Sequence, residues 1–210
     1  MKQRPARLLA ACIGRAEPIG PARRVGTDGD ASDRVRSAIR KQPVSTLQAP
    51  AAIDIGADGL WGDEQADLRV HGGADKAVYA YPSEHYAFWA TVRAQARRTE
   101  PLAPGALGEN LLIEGLLETE LYVGDLLEVG GARLRVTAPR TPCWKLDAAL
   151  GFHWASKMMV QSGFTGFYLA VVRPGAAAAG DPVVVLPGDR VLSVAQCHAM
   201  KHRSRQPSLF

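Results

Sequence analysis

Arg140-Thr141-Pro142-Cys143-Trp144-Lys145-Leu146 holds the residue with the richest chemistry in the chain. Cys143 follows an alternating, strand-like segment and precedes a stretch with helical spacing, and Pro142 restrains the turn between them. A thiol presented this way can bind a soft metal or act as a nucleophile, because the thiolate is the active form in both roles. It can also simply pack, since free cysteine is among the most buried residue types. Trp144 beside it reads as core or pocket wall.

A second polar concentration runs through Gly62-Asp63-Glu64-Gln65-Ala66-Asp67 and continues in His71-Gly72-Gly73-Ala74-Asp75-Lys76. Glycines after a histidine let main-chain N–H groups approach an anion closely, and Lys76 adds positive charge. The plainer alternative is a polar turn between strands. Asn110, in Gly108-Glu109-Asn110, offers donors and an acceptor suited to the edge of an amide-like heterocycle, or serves as an ordinary turn residue. Lys41 sits beside Arg40, where a solvated lysine is the usual case. His85, His153, His198 and His202 show no ligand spacing, and His85 reads as the exposed side of its helix.

The elements that must position these groups follow from pattern. Residues 7–14 read as a short buried strand with Cys12 in the core, and residues 15–38 as a long loop without periodicity. Residues 38–44 read as a strand entering the main domain. Residues 53–81 alternate short apolar pieces with Gly and Asp, as strands and tight turns do. Ser83 is an N-cap for a helix to about Arg98, with Tyr86, Trp89, Val92 and Ala96 on one face. Residues 111–113 form a short strand. Gly130-Gly131 joins two strands in which Leu127, Val129, Leu134 and Val136 alternate with Glu128, Arg133 and Arg135. Residues 146–161 are helical with an interruption near Gly151, and residues 167–172 are a buried strand. Residues 176–180 form a small-residue loop, residues 183–186 and 190–193 another strand pair, and the tail from Lys201 frays. Many short strands with few helices predict a mainly β, α+β domain with barrel-like character.

Composition narrows the function. With 47% hydrophobic and 22% charged residues, the 210-residue chain suits a globular domain rather than a disordered one. A formal charge of +4 is compatible with an anionic ligand. It comes without a dense Lys/Arg block or an aromatic-basic stripe, so nucleic acid is not an expected partner. Three dispersed cysteines (Cys12, Cys143, Cys197) are not a disulfide framework, and without a CxxC pair no structural zinc site is expected. Leu9-Ala10-Ala11-Cys12 mimics a lipoprotein cleavage box, but the apolar run is shorter than the roughly 7–15 residues of a signal sequence. No stretch approaches the roughly 18 apolar residues of a membrane span. A cytoplasmic protein with reduced thiols is expected, and neither GxGxxG nor a P-loop is present.

Taken in order, Gly-Asp-Glu-Gln-Ala-Asp, His-Gly-Gly-x-Asp-Lys-Ala-Val, Leu-Gly-Glu-Asn and Arg-x-Pro-Cys-x-Lys-Leu resemble the MOSC domain family, related to the C-terminal part of molybdenum cofactor sulfurases. Lys41-Gln42-Pro43-Val44, residues 63–67 and residues 77–86 carry a closer likeness to the YiiM-like branch, linked to resistance against 6-N-hydroxylaminopurine. The resemblance covers roughly residues 38–193 and implies a MOSC-type β-barrel with a few flanking helices. Residues 1–37 would then be an N-terminal strand and long loop packed on the barrel. Residues 194–210 would be a short tail in place of the three-helix segment of many relatives.

It further implies the molybdenum cofactor (molybdopterin), with Cys143 as molybdenum ligand and His71 and Lys41 near the metal as catalytic residues. Gly72, Gly73, Lys76, Asn110 and Arg140 would hold the pterin and its phosphate. The implied activity is reduction of small N-hydroxylated bases or related compounds, with electrons from a partner reductase. A homodimer is the assembly to test. Pyridoxal phosphate binding is associated with the family only at a general level, with no residue assigned. The alternatives are a non-catalytic cofactor carrier or sulfur-handling protein, and a thiol enzyme using Cys143 and His71.

Overall fold

The alternation around Gly130-Gly131 builds the centre of the main sheet. Strands β9 (Leu126–Val129) and β10 (Ala132–Pro139) pair antiparallel, with Ala132 opposite Val129 and Leu134 opposite Leu127. Leu127, Val129, Leu134 and Val136 are all fully buried, each worth about 1.5–3 kcal/mol of transfer free energy. On the other face Arg133 pairs with Glu128 at 2.6 Å. The structure, a computed structural model, describes residues 5–20, 35–66 and 72–203.

The first half of the chain supplies β1 (Arg7–Ile13), β2 (Glu17–Pro18), β3 (Arg36–Ser37), β4 (Gln42–Thr46), β5 (Ile53–Gly56), β6 (Gly59–Leu60), β7 (Val78–Pro82), helix α1 (Tyr86–Gln95) and β8 (Leu111–Glu114). After β10 come α2 (Trp144–Leu150), α3 (Ala155–Ser162), β11 (Phe167–Arg173), β12 (Gly175–Ala177), β13 (Val183–Leu186) and α4 (Val194–Arg203). Eight strands form one sheet in the order β13-β9-β10-β11-β7-β8-β1-β4, in which β7 and β8 run parallel and the other neighbours antiparallel. A smaller sheet has the order β12-β5-β6.

The α+β class agrees with the sequence reading, but the barrel is not a closed ladder among the described residues. Its ends approach where Arg7 forms a bridge with Pro182, flanked by Val183 N donating to Ala6 O (2.8 Å) and Leu8 N donating to Asp181 O (2.9 Å). Beyond that short seam β1 pairs with β4 instead, so the rolled sheet stays open there.

Strand β7 (Val-Tyr-Ala-Tyr-Pro) is buried on both faces and separates two cores. Val78 and Ala80 join the sheet interior with Leu8, Leu111, Leu127 and Phe167. Tyr79 and Tyr81 face a second core, with Trp89, Leu107, Leu146 and Met159, beneath the helices. The interruption expected near Gly151 is a left-handed cap (φ 71°) that ends α2 before α3 begins.

Several expectations need correction. Residues 176–180 are not wholly loop, because β12 pairs with β5 through backbone groups that small side chains leave accessible. Residues 190–193 form no strand with β13. They contribute an isolated bridge between Ser193 and Tyr122, while β13 pairs with β9. The described ends of the loop at 15–38 are zipped together by β2 and β3 and by Ile19 N donating to Val35 O (2.8 Å). Helix α4 continues through Lys201 to Arg203. His85 is not exposed. It ends a short 3-10 turn (Ser83–His85), is 7% exposed, and meets buried Glu118 at 2.8 Å while stacking on Phe164.

Candidate functional site

The end of β10, the start of α2, the loop before β4 and the turn after β6 converge on one pocket. Its space is about 650 Å³ including the open mouth. Lys41, Lys76, Asn110, Arg140 and Cys143, expected from sequence to act together, all line it. Gly72 and Gly73 do not. Gly73 adopts φ 90° ahead of the 3-10 turn Ala74–Lys76, a conformation that favours glycine, and its amide donates to Gln65 Oε1 at 3.0 Å. Gln65 lines the pocket, so the turn borders the site through that side chain. His71 lies outside the described residues.

Cys143 occupies the residue before α2 in extended conformation (φ −137°, ψ 176°) and is half-buried. Arg140 and Tyr168 line the same pocket beside it. Arg140 is buried, donates to Leu107 O, and lays its guanidinium over the Tyr79 ring at 4.6 Å. Burial pushes the Tyr79 phenol upward against the pull of Arg140, so Tyr79 stays protonated and donates to Thr165 O at 2.7 Å. Tyr168 packs against Tyr79 with ring centres 5.4 Å apart, and the Lys76 ammonium lies 5.8 Å from the Tyr168 ring centre.

Lys41 and Asn110 belong to a different kind of wall. Lys41 is buried and paired with Asp63. Burial holds its pKa below the usual lysine value, with Asp63 pulling the other way. Asp63 also accepts from Gly14 N (2.7 Å) and from Asn110 Nδ2 (2.8 Å). Asn110 further donates to Cys12 O (3.2 Å) and accepts from Tyr79 N (3.1 Å), tying β1, β7 and the Asp63 turn into one unit. Both Nδ2 protons are thereby used within the protein, and one Oδ1 lone pair remains for a ligand. Behind this unit Glu109 is fully buried and accepts from Tyr86, Gly105 N (2.7 Å) and Leu107 N (3.0 Å). Gly108 permits the turn that joins them. Its φ is +85°, and a Cβ there would sit 2.8 Å from Ile39.

Residues 67–184, more than half of the chain, match the MOSC domain. The chain belongs to the MOSC domain family. Protein YiiM of Escherichia coli is 36% identical over 140 residues, covering 67% of this chain and 62% of YiiM. A protein of Gibberella moniliformis named a reductase is 31% identical over 164 residues, covering 75% of this chain but 27% of the fungal protein. Among solved structures, YiiM from Geobacillus stearothermophilus superposes with a TM-score of 0.70 at 29% identity, covering 97% of this chain and 87% of that one. The chain therefore spans less than two thirds of the Escherichia coli relative and about a quarter of the fungal one.

Within this MOSC domain the structure adds site residues to which sequence reasoning gave no role. Asp63 lay in a polar run that reads equally well as a solvated turn, and Tyr79 and Tyr168 read as strand residues. Lys145 lines the pocket two residues after Cys143 while remaining 9% exposed. Trp144 between them corrects an expectation. It is 45% exposed, its ring close against Gly20, and is neither core nor pocket lining. Among the described residues no helix is long and apolar enough to cross a membrane, and no cluster of three or more His, Cys, Asp or Glu could hold a metal ion.

Proposed function

We propose that this MOSC protein binds the molybdenum cofactor in the Cys143 pocket and reduces small N-hydroxylated compounds. The observation that carries the reading is the meeting of a lone thiol with Arg140, Lys76 and Lys41 around one pocket. The donor set fits the cofactor. One soft thiolate suits a metal that arrives with its own sulfur ligands, where a bare ion would need several side chains. Cationic side chains suit the pterin's phosphate. When bound, the cofactor supplies two-electron redox chemistry at a thiolate-ligated metal.

The chain's residues do the rest. Cys143 presents its sulfur from an extended backbone segment held by Pro142 and α2. Arg140 and Lys76 orient the anionic part of the ligand, and the rings of Tyr79 and Tyr168, tilted 49° to each other, give an aromatic wall to a heterocycle. Reducing an N-hydroxyl group to N–H and water consumes two electrons and two protons. Lys41 holds a proton whose release its lowered pKa favours, and Asp63 keeps that ammonium in place. Electrons come from a partner reductase, in a cytoplasmic setting.

Loading in a host that makes the cofactor tests the reading. Wild-type protein is expected to carry molybdenum and Cys143→Ser to lose most of it, measured by elemental analysis. Equal metal content in both would overturn the assignment.

A further inference from the structure

Lys41 and Lys145 are equally buried, each 9% exposed, and both line the pocket. Lys41 has Asp63. Among the described residues, no hydrogen bond or ion pair reaches Lys145. A lysine drawn into a pocket wall with no partner among the described residues points to a partner that arrives from solution. Its ammonium is not sealed in, since the one buried side-chain polar atom without a partner among the described residues is Arg93 Nε.

The neighbouring charges say what that partner is. Among the described residues, Lys41, Lys76, Arg140 and Lys145 line the pocket together with the carboxylates of Asp63 and Glu64. Asp63 is taken by Lys41, and Glu64 accepts from Ala16 N at 2.7 Å. A phosphomonoester carries about −1.5 to −2 at neutral pH and offers three acceptor oxygens, enough to engage both Arg140 and Lys145. We propose that Lys145 is the anion-recognition residue of this pocket and, with Arg140, holds the phosphate of a phosphomonoester. This deepens the proposed function and rests on it only for the source of the phosphate, which is either the cofactor's own or that of a phosphorylated substrate.

The test is calorimetric titration of inorganic phosphate into protein purified without cofactor, comparing wild type, Lys145→Met and Lys145→Arg. Lys145→Met keeps the buried stem and removes the charge, so phosphate affinity is expected to fall about 10-fold or more, with partial recovery in Lys145→Arg. In phosphate-free buffer Lys145→Met should have a Tm no lower than that of wild type, because no partner within the described residues is lost with the ammonium. Unchanged phosphate affinity, or a lower Tm in phosphate-free buffer, would overturn the proposal, the second by making Lys145 a structural support. The source is read in a cofactor-producing host. Loss of molybdopterin from Lys145→Met assigns the cofactor's phosphate. Full molybdopterin content, with KM raised for a phosphorylated N-hydroxylated nucleotide but not for its free base, assigns the substrate's. The two readings fail separately: equal molybdenum content in wild type and Cys143→Ser overturns metal ligation, and unchanged phosphate affinity in Lys145→Met overturns anion recognition.

Discussion

The two walls of the pocket use the same kinds of residue to opposite ends. On one side Lys41, Asp63 and Asn110 satisfy each other and the backbones of β1 and β7. On the other, Arg140 and Lys145 bring positive charge to the thiol of Cys143, and among the described residues no carboxylate pairs with either. The first wall is a buried polar network whose parts fix one another, and its loss is felt as stability. The second carries charge that the fold does not neutralise, and its loss is felt as ligand affinity. A site that must be filled from solution needs both, one rigid enough to define the cavity and one electrostatically unfinished.

The sharpest way to break the contrast is Lys41→Met. Asp63 would be left buried without its cation, at a cost of about 3–5 kcal/mol in urea denaturation. Adding Asp63→Asn should recover at least half of that loss, because the uncompensated charge is gone. A single variant as stable as wild type would mean that the first wall contributes no more than the second.

How much of this was legible in sequence follows the range of the interactions. The β9–β10 hairpin was readable because alternation and a Gly-Gly turn are local, and Cys12 in the core because its neighbours are apolar. The helix broken near Gly151 was readable for the same reason. The pocket membership of Lys41, Asn110, Arg140 and Cys143 came from resemblance, since nothing within a few residues of any of them requires the other three. His85 was misread because its partner Glu118 lies 33 residues away, across a turn that periodicity does not show. Lys145 entered only as part of the Arg-x-Pro-Cys-x-Lys-Leu likeness, with no role of its own. Lysine is ordinarily solvated, and only the packing of α2 against the second core removes it from water.

Glu109 tests the first wall more gently. Gln at this position places an amide N–H against one of the donors that the carboxylate accepts from, Gly105 N or Leu107 N, at a cost of about 1–3 kcal/mol. Its pH dependence has a definite sign. Burial pushes the carboxyl up, against the hydrogen bonds from Tyr86, Gly105 and Leu107 that pull it down. Between the unfolded value near 4.3 and the raised folded value, the native protein holds a proton that the unfolded chain has lost. This stability is therefore fully present below about pH 4.3 and is lost as pH rises through the folded value, by at most ~1.4 kcal/mol per pH unit. Glu109→Gln should flatten that slope in urea titrations across acidic to neutral pH, and an unchanged slope would remove Glu109 as its source.

Arg140→Lys probes the seam between the walls, because Arg140 both packs and presents charge. A lysine keeps the charge but loses the planar stack on Tyr79, worth about 0.5–1 kcal/mol. It can still donate to Leu107 O, though without the fork that serves a second acceptor at the same time. The expected result is a small loss of stability with a severalfold weaker phosphate affinity, less than Lys145→Met produces. Weaker binding without any change in urea midpoint would place Arg140 wholly on the ligand side. A large stability loss with unchanged phosphate affinity would move it to the Lys41 side and leave Lys145 to carry the anion without it.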